Sequence, residues 1–108
     1  MKYIRTKDNI YELKNKEISV SFDVYHYVKG KNTPISSKDI IKQADTIEEL
    51  CDEFVLFRDN KPYAVVPNKN RNAELAKYVW KDYYCAIWTD KGLTYVAKMN
   101  ESGVLELL

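Results

Sequence analysis

The sequence predicts an α+β domain in which a mostly antiparallel, curved sheet or a small, partly open barrel packs against two helices. Three observations support this fold class. The stretch AIWTDKGLTYVAKMN is typical of two strands joined by a tight turn, further β-prone runs lie near the N-terminus, and two helix-like patterns lie between them. With 108 residues, the chain has room for one domain with a single modest core.

The composition is that of a globular domain, with 45% hydrophobic and 31% charged residues. Lys and Arg total 17 against 16 Asp and Glu, so the net charge of +1 provides no global attraction to nucleic acid or to an anionic membrane. No apolar run approaches the roughly 20 residues that span a bilayer, and the N-terminus lacks the apolar stretch of a secretory signal. We therefore expect a cytoplasmic protein without a membrane partner.

The N-terminal segment predicts a first hairpin. Two short β-prone runs, 3–5 and 10–12, flank a polar break at Thr6 to Asn9. The break resembles the C-terminal turn at Asp90 and Lys91, and Asn9 would take the positive φ that Gly92 takes there. We interpret the two as the same turn.

The segment from Ile18 to Val28 alternates and predicts one strand with one buried side. The buried side would carry Val20, Phe22, Val24, His26 and Val28, and the opposite side Ser19, Ser21, Asp23, Tyr25 and Tyr27. After a loop, Ser36 or Ser37 could cap a short helical turn from Asp39 to Lys42.

The strongest helix signal covers Asp45 to Phe54. Thr46 and Glu49 have the spacing of a capping box, in which each side chain satisfies a backbone N–H near the other. Apolar residues recur on one face at helical spacing: Ile47, Leu50, Cys51 and Phe54.

The second half continues with a hairpin, a helix and a meander. Val55 to Phe57 and Tyr63 to Val66 flank a predicted turn at Asp59 and Asn60, and Pro62 indicates an edge strand. A second helix is predicted from its Asn72 cap through Ala73, Leu75, Ala76, Val79 and Trp80. The closing hairpin and a last strand at 104–108 then complete a three-stranded meander.

Few residues indicate chemistry. The single histidine, His26, has no Cys or second His nearby and is interpreted as a hydrogen-bonded histidine of the sheet. Cys51 and Cys85 are expected to be free, buried thiols. We assign no catalytic residue, no metal ligand and no cofactor, and expect a protein that is not an enzyme.

Two sets of residues are candidates for binding. Lys69 and Arg71 would form a cationic rim if they lie beside Tyr83, Tyr84 or Trp88, and such a rim could bind a nucleotide or a single-stranded nucleic acid. Tyr25 and Tyr27 are predicted on the strand face opposite the apolar one. Exposed tyrosine and tryptophan are typical of protein interfaces, so these residues indicate a partner surface or self-association.

Three segments carry a resemblance to a known family: MKYIRTKDNIYEL, IIKQADTIEELCDEFV and AIWTDKGLTYVAKMN. They resemble a family of small uncharacterised proteins encoded by phages and prophages of Gram-positive bacteria. Asn9 and Cys85 stand where a glycine is more usual in that family.

The resemblance implies a phage or prophage origin and action in the cytoplasm of the host cell, and it assigns no activity to any residue. Together with the missing catalytic inventory, it leads us to expect a non-enzymatic accessory protein that binds a host component, most simply a host protein of a defence or regulatory system. Binding of a nucleotide or nucleic acid is the alternative.

Overall fold

A computed structural model of the chain describes residues 2–74 and 82–108. Nearly all regular structure in this part of the chain is antiparallel β. The ten strands are β1 (Tyr3–Arg5), β2 (Ile10–Val20), β3 (Asp23–Val28), β4 (Ile35–Ser36), β5 (Lys42–Ala44), β6 (Glu53–Arg58), β7 (Lys61–Pro67), β8 (Tyr83–Thr89), β9 (Gly92–Met99) and β10 (Leu105–Leu107). One short helix is described, α1 (Arg71–Glu74), and no described helix has the length and apolar character to span a bilayer.

The strands form two five-stranded sheets. The first has the order β4-β3-β2-β1-β5 and the second the order β10-β9-β8-β6-β7. Every pair within them is antiparallel. The N-terminal hairpin and the C-terminal meander therefore lie in different sheets.

The main core lies between the two sheets and draws mostly on the second. Phe54 and Leu56 of β6 are completely buried there, as are Cys85 and Ile87 of β8, and Ile10 contributes from the first sheet. The opposite face of the first sheet has a smaller cluster of its own, built from Ile4, Val28 and Ile35. The second sheet is thus the better buried half of the molecule.

The predicted α+β class is wrong, because the strongest helix signal does not form a helix. Only Glu48–Leu50 makes a 3₁₀ turn, Cys51 is extended with ψ 145°, and β6 begins at Glu53. The apolar residues at helical spacing are buried as expected. Those in β6 are buried because β6 is an inner strand, between β7 and β8. Ladder hydrogen bonds on both sides outweigh a local helix preference.

The capping box forms only in part. The backbone N–H and the hydroxyl of Thr46 both donate to Glu49 Oε2, at 3.2 and 3.0 Å. These hydrogen bonds lower the pKa of the Glu49 carboxyl. They stabilise a single turn, after which the chain becomes extended and continues into β6.

The other helical predictions have different outcomes. Ser36 caps a 3₁₀ turn at Ser37–Asp39 by accepting from the Lys38 N–H at 3.2 Å, which is shorter than the turn expected through Lys42. The predicted Asn72 cap of the second helix is wrong, because α1 begins at Arg71 and includes Asn72. The rest of the predicted helix, at 75–81, lies outside the described residues.

The predicted strand from Ile18 to Val28 is wrong, because Ser21 and Phe22 form a turn that joins β2 to β3. Val20 pairs with Asp23 across this turn, so the two halves of the expected strand run side by side. Both turn residues have positive φ, 49° and 68°, which is the signature of a type I′ hairpin. Because Ser19 pairs with Val24 and Val20 with Asp23, the turn places Val20 and Val24 on opposite faces. The predicted buried face is therefore also wrong, since Val20 is 50% exposed and Phe22 is fully exposed.

The other turns are mostly confirmed. Asp59 and Asn60 join β6 to β7 with φ of 53° and 62°, and β7, which contains Pro62, is an edge strand. Gly92 has φ +102° in the closing hairpin. Asn9 is the exception, since it lacks positive φ and its N–H instead donates to the Thr6 hydroxyl at 3.3 Å.

The expectation of free thiols is also wrong, because Cys51 and Cys85 form a disulfide. Their Cα atoms are 5.7 Å apart, within the range that a disulfide spans. Both residues are buried in the main core as predicted. The bond joins the segment before β6 to the neighbouring strand β8, a contact between residues 34 positions apart.

Candidate functional site

The outer face of the second sheet, turned away from the main core, carries a group of aromatic side chains. Phe54, Leu56 and Cys85 point into the core, so the residues that alternate with them point outward. We define the aromatic face by four of these outward residues: Phe57, Tyr84, Trp88 and Tyr95.

Three of the four rings contact one another. The centroid of Phe57 lies 4.8 Å from that of Tyr84 and 5.8 Å from that of Tyr95, and the two tyrosine rings are 5.1 Å apart. Such spacing is favourable for tilted and edge-on aromatic pairs. Tyr95 nevertheless remains 39% exposed. The cluster is ordered by its own contacts and still presents ring surface to solvent.

Trp88 extends the aromatic face toward the other end of β8. It is 55% exposed, and its indole Nε1 donates to Glu53 Oε1 at 3.0 Å. Its backbone N–H donates to Asp52 Oδ2 at 2.8 Å. These two bonds fix the position of a large side chain that leaves about half of its surface uncovered.

Charges of both signs border the aromatic face. The ammonium group of Lys98 lies 5.5 Å from the centroid of the Tyr84 ring and 4.0 Å from Asp82 Oδ1. Glu53 is next to Trp88. The aromatic face is therefore apolar at its centre and mixed in charge at its rim.

Asp52 connects this end of the second sheet to the first sheet. Its carboxylate accepts hydrogen bonds from Arg5 Nη1 and Nη2 of β1, at 2.5 and 2.8 Å, in addition to the Trp88 N–H. Burial raises the pKa of the Asp52 carboxyl, but the bonds and charge of Arg5 together with the Trp88 N–H outweigh it and leave the pKa below its usual value.

The same aspartate places the basic loop. Its backbone carbonyl accepts from the Asn68 N–H at 3.0 Å, so the loop that carries Lys69 and Arg71 starts at the Trp88 end of the sheet. A cleft of about 420 Å³ there is lined by Lys42, Glu49, Asn68, Lys69, Arg71 and Asn72. None of the predicted aromatic platforms lines this cleft.

The five residues predicted as a cationic rim with aromatic platforms are thus divided. Lys69 and Arg71 share the cleft, and Tyr84 and Trp88 belong to the aromatic face. Tyr83 points the other way, where its ring meets Phe54 edge-on at 5.8 Å. Burial raises the pKa of Tyr83.

The predicted interface residues of β3 are half-buried. Tyr25 pairs with Ile18, and the Lys16 ammonium lies 5.0 Å from the centroid of the Tyr27 ring. His26 lies between them, with Nε2 3.0 Å from the Ser37 hydroxyl, which agrees with a hydrogen-bonded histidine of the sheet. Within the described ranges, no group of His, Cys, Asp and Glu side chains could hold a metal ion.

Sequence reasoning missed Phe57 and Tyr95 as members of the site. Both were assigned to strands, and period-two alternation places Phe57 opposite the core-facing Leu56. A signal for Phe57 was therefore present in the sequence. The contact between the two rings depends on β8 lying between β6 and β9, which only the sheet order supplies.

Comparison with known proteins provides no further assignment, because no family model, no curated protein and no solved structure matches the chain.

Proposed function

We propose that this chain is a small, non-enzymatic accessory protein of a phage or prophage that acts by docking its aromatic face onto a protein of the host cell. The host association follows from the family resemblance of the three sequence segments. The mode of action follows from one observation. Trp88 and Tyr95 remain substantially exposed on a sheet face whose aromatic rings are already held in place.

The rigidity of this face supports a binding role. Ordering flexible side chains on association costs about 0.5–1.5 kcal/mol each, and rings already held by neighbours avoid much of that cost. Tryptophan and tyrosine are also the residues that most often dominate the binding energy of protein interfaces. The mixed charge of the rim fits a protein surface better than a polyanion such as nucleic acid.

The proposal is tested by affinity capture followed by quantitative binding. The immobilised wild-type chain and a Trp88→Ala variant are exposed to a lysate of Gram-positive cells, and captured proteins are identified by mass spectrometry. The strongest wild-type-specific protein is then purified and titrated calorimetrically. We expect Trp88→Ala to weaken its binding at least about 30-fold, since truncated interface hot spots cost about 2 kcal/mol or more.

A matched control separates the aromatic face from the rest of the surface. Ile41 is exposed beside β5 of the first sheet, and Ile41→Ala removes exposed apolar surface away from the second sheet. We expect Ile41→Ala to retain binding within about threefold, because residues outside a hot spot usually contribute little. Equal affinities of wild type and Trp88→Ala would contradict the proposal.

Nucleotide or nucleic-acid binding is the second candidate, supported by the cleft in which Lys42, Lys69 and Arg71 surround one carboxylate, Glu49. If the ligand is a nucleic acid, the protein should bind single-stranded oligonucleotides with an affinity that falls as the salt concentration rises. Lys69→Ala and Arg71→Ala should each weaken this binding. Trp88→Ala should leave it unchanged, because Trp88 does not line the cleft that would contact the phosphates. A nucleotide would raise the melting temperature by mass action.

Action in the host cytoplasm is part of the proposal. The disulfide argues in the other direction, because disulfides are rare in reducing compartments. Alkylation of the protein in freshly lysed producing cells, read by mass spectrometry, decides the redox state in which it works.

A further inference from the structure

The turn between β2 and β3 contains the most unusual residue of the described chain. A type I′ turn needs positive φ at both central positions, which Asn and Gly adopt most easily. Here the second position is Phe22, at φ 68°, and its side chain is fully exposed to solvent. An aromatic residue in this backbone region is strained, and strained residues concentrate at sites of function.

The ribbon that carries this turn projects from the first sheet. Pairing between β2 and β3 shifts register between Leu13 and Glu17, where Asn15 has φ 58°. Such an irregularity bends a two-stranded ribbon and aims its end. Beyond it, β2 is exposed from Lys14 to Val20, and the molecule measures 49 Å along its longest axis against 29 and 23 Å.

Hydrogen bonds brace the ribbon close to its tip. The Ser37 hydroxyl donates to the Val24 carbonyl at 2.7 Å, and the Ser36 hydroxyl donates to the Asp23 carboxylate. Asp23 also accepts from the Val24 N–H at 2.8 Å. The strand next to the turn is therefore held by its neighbours, and the position of Phe22 is defined before any partner arrives.

We propose that Phe22 is an anchor that inserts into an apolar pocket of a partner protein, as a binding element separate from the aromatic face. Ile18 and Val20, which are 37% and 50% exposed, lie on the adjoining strand and would contact the pocket rim. The partner is a folded protein with a concave apolar site wide enough for the phenyl ring of Phe22.

The charge of the ribbon argues against a lipid bilayer as the partner. Lys14 and Lys16 are matched by Glu17 and Asp23, and the acidic Asp23 is the charge next to the turn. Segments that adsorb to membranes carry an excess of Lys and Arg, because anionic lipids attract them.

The area of the tip argues against a second copy of this chain. One phenylalanine buries about 150–250 Å². A stable flat interface needs about 800 Å² on each partner, which Phe22 and two half-exposed aliphatic side chains do not approach. A pocket avoids this limit, since its walls also enclose the sides of the ribbon.

The test places a photo-crosslinking benzoylphenylalanine at position 22 and, in a matched control, at Asn60 of the other type I′ turn. Each full-length protein is irradiated in a lysate of Gram-positive cells. A protein linked through position 22 but not through position 60 is then purified, and its affinities for wild type and Phe22→Gly are compared. We expect Phe22→Gly to bind at least about 30-fold more weakly, the size of an anchor residue.

Every other result overturns the proposal. These results are the absence of a protein specific to position 22, and a linked protein that binds Phe22→Gly as well as wild type. Cosedimentation with vesicles of phosphatidylcholine and phosphatidylserine that Phe22→Gly abolishes would identify a lipid occupant instead. A dimer in analytical ultracentrifugation that Phe22→Gly dissociates would identify a second copy. Glycine is favourable at this φ, so the variant is expected to fold.

Discussion

Both sheets are five-stranded antiparallel layers, but the second contributes many more buried side chains than the first. The second sheet provides most of the main core and contains the disulfide, and its outer aromatic face rests on this support. The first sheet has a small cluster centred on Ile4, Val28 and Ile35, and its ribbon is braced largely by side-chain hydrogen bonds. A well-buried sheet can display rings without backbone strain, whereas the thin sheet presents Phe22 through a strained turn.

The largest test of this difference is removal of the disulfide from the second sheet. Cys51→Ala with Cys85→Ala should lower the free energy of unfolding by about 3–4 kcal/mol, because the unfolded chain regains the entropy of a loop between residues 34 apart. Urea unfolding measures the change. The double variant should also be insensitive to reductant, whereas wild type should weaken when it is reduced. Equal stabilities of the double variant and of oxidised wild type would show that the bond does not support the sheet.

A smaller effect is expected at the contact between the sheets. Asp52→Asn removes the charge that faces Arg5, whose side chain is largely buried, and should cost about 1–3 kcal/mol at pH 7. Urea unfolding of both proteins measures it.

The pH dependence of this contact has a defined sign. The folded-state pKa of Asp52 is lowered, so its contribution is complete above the unfolded pKa of about 4 and is lost as the pH falls through the folded value. The stability difference between wild type and Asp52→Asn should therefore shrink between pH 5 and the acid limit of folding. A difference that stays constant over this range would mean that the charge of Asp52 does not act through Arg5.

The smallest effect compares the two type I′ turns directly. Ser21→Asn with Phe22→Gly gives the first-sheet hairpin favourable turn residues and should raise the free energy of unfolding by about 1 kcal/mol. The reciprocal change, Asp59→Ser with Asn60→Phe, should lower it by a similar amount. Thermal melts of both double variants measure the pair of shifts. If the first exchange destabilises the protein, Phe22 is not strained.

Turns were the most predictable part of the fold. The residues of the Asp59–Asn60 turn and of the Gly92 hairpin specify their backbone conformation locally, and both hairpins were predicted correctly. Ser21 and Phe22 contain no such signal, because neither is a typical residue of a primed turn. The reversal there was therefore missed, and the strand prediction continued through it.

The candidate site was predictable only residue by residue. Trp88 and Tyr84 were identified from the sequence, but their grouping with Phe57 and Tyr95 depends on the order β9-β8-β6. Lys69 and Arg71 were identified together and do share a cleft. The sequence could not show that the aromatic residues lie outside that cleft, since the placement follows from long-range pairing.

The amino-acid sequence by itself determined the closing meander, the hairpin at Asp59 and Asn60, and the burial of Ile47, Leu50 and Phe54. These features depend on the conformational preferences of a few neighbouring residues and on their hydrophobicity. Only the tertiary structure decided that the segment through Phe54 becomes a strand, that Cys51 meets Cys85, and that the sheets number two. Hydrogen bonds to strands distant in the chain supply the free energy for those choices, and no local pattern encodes which strands will be neighbours.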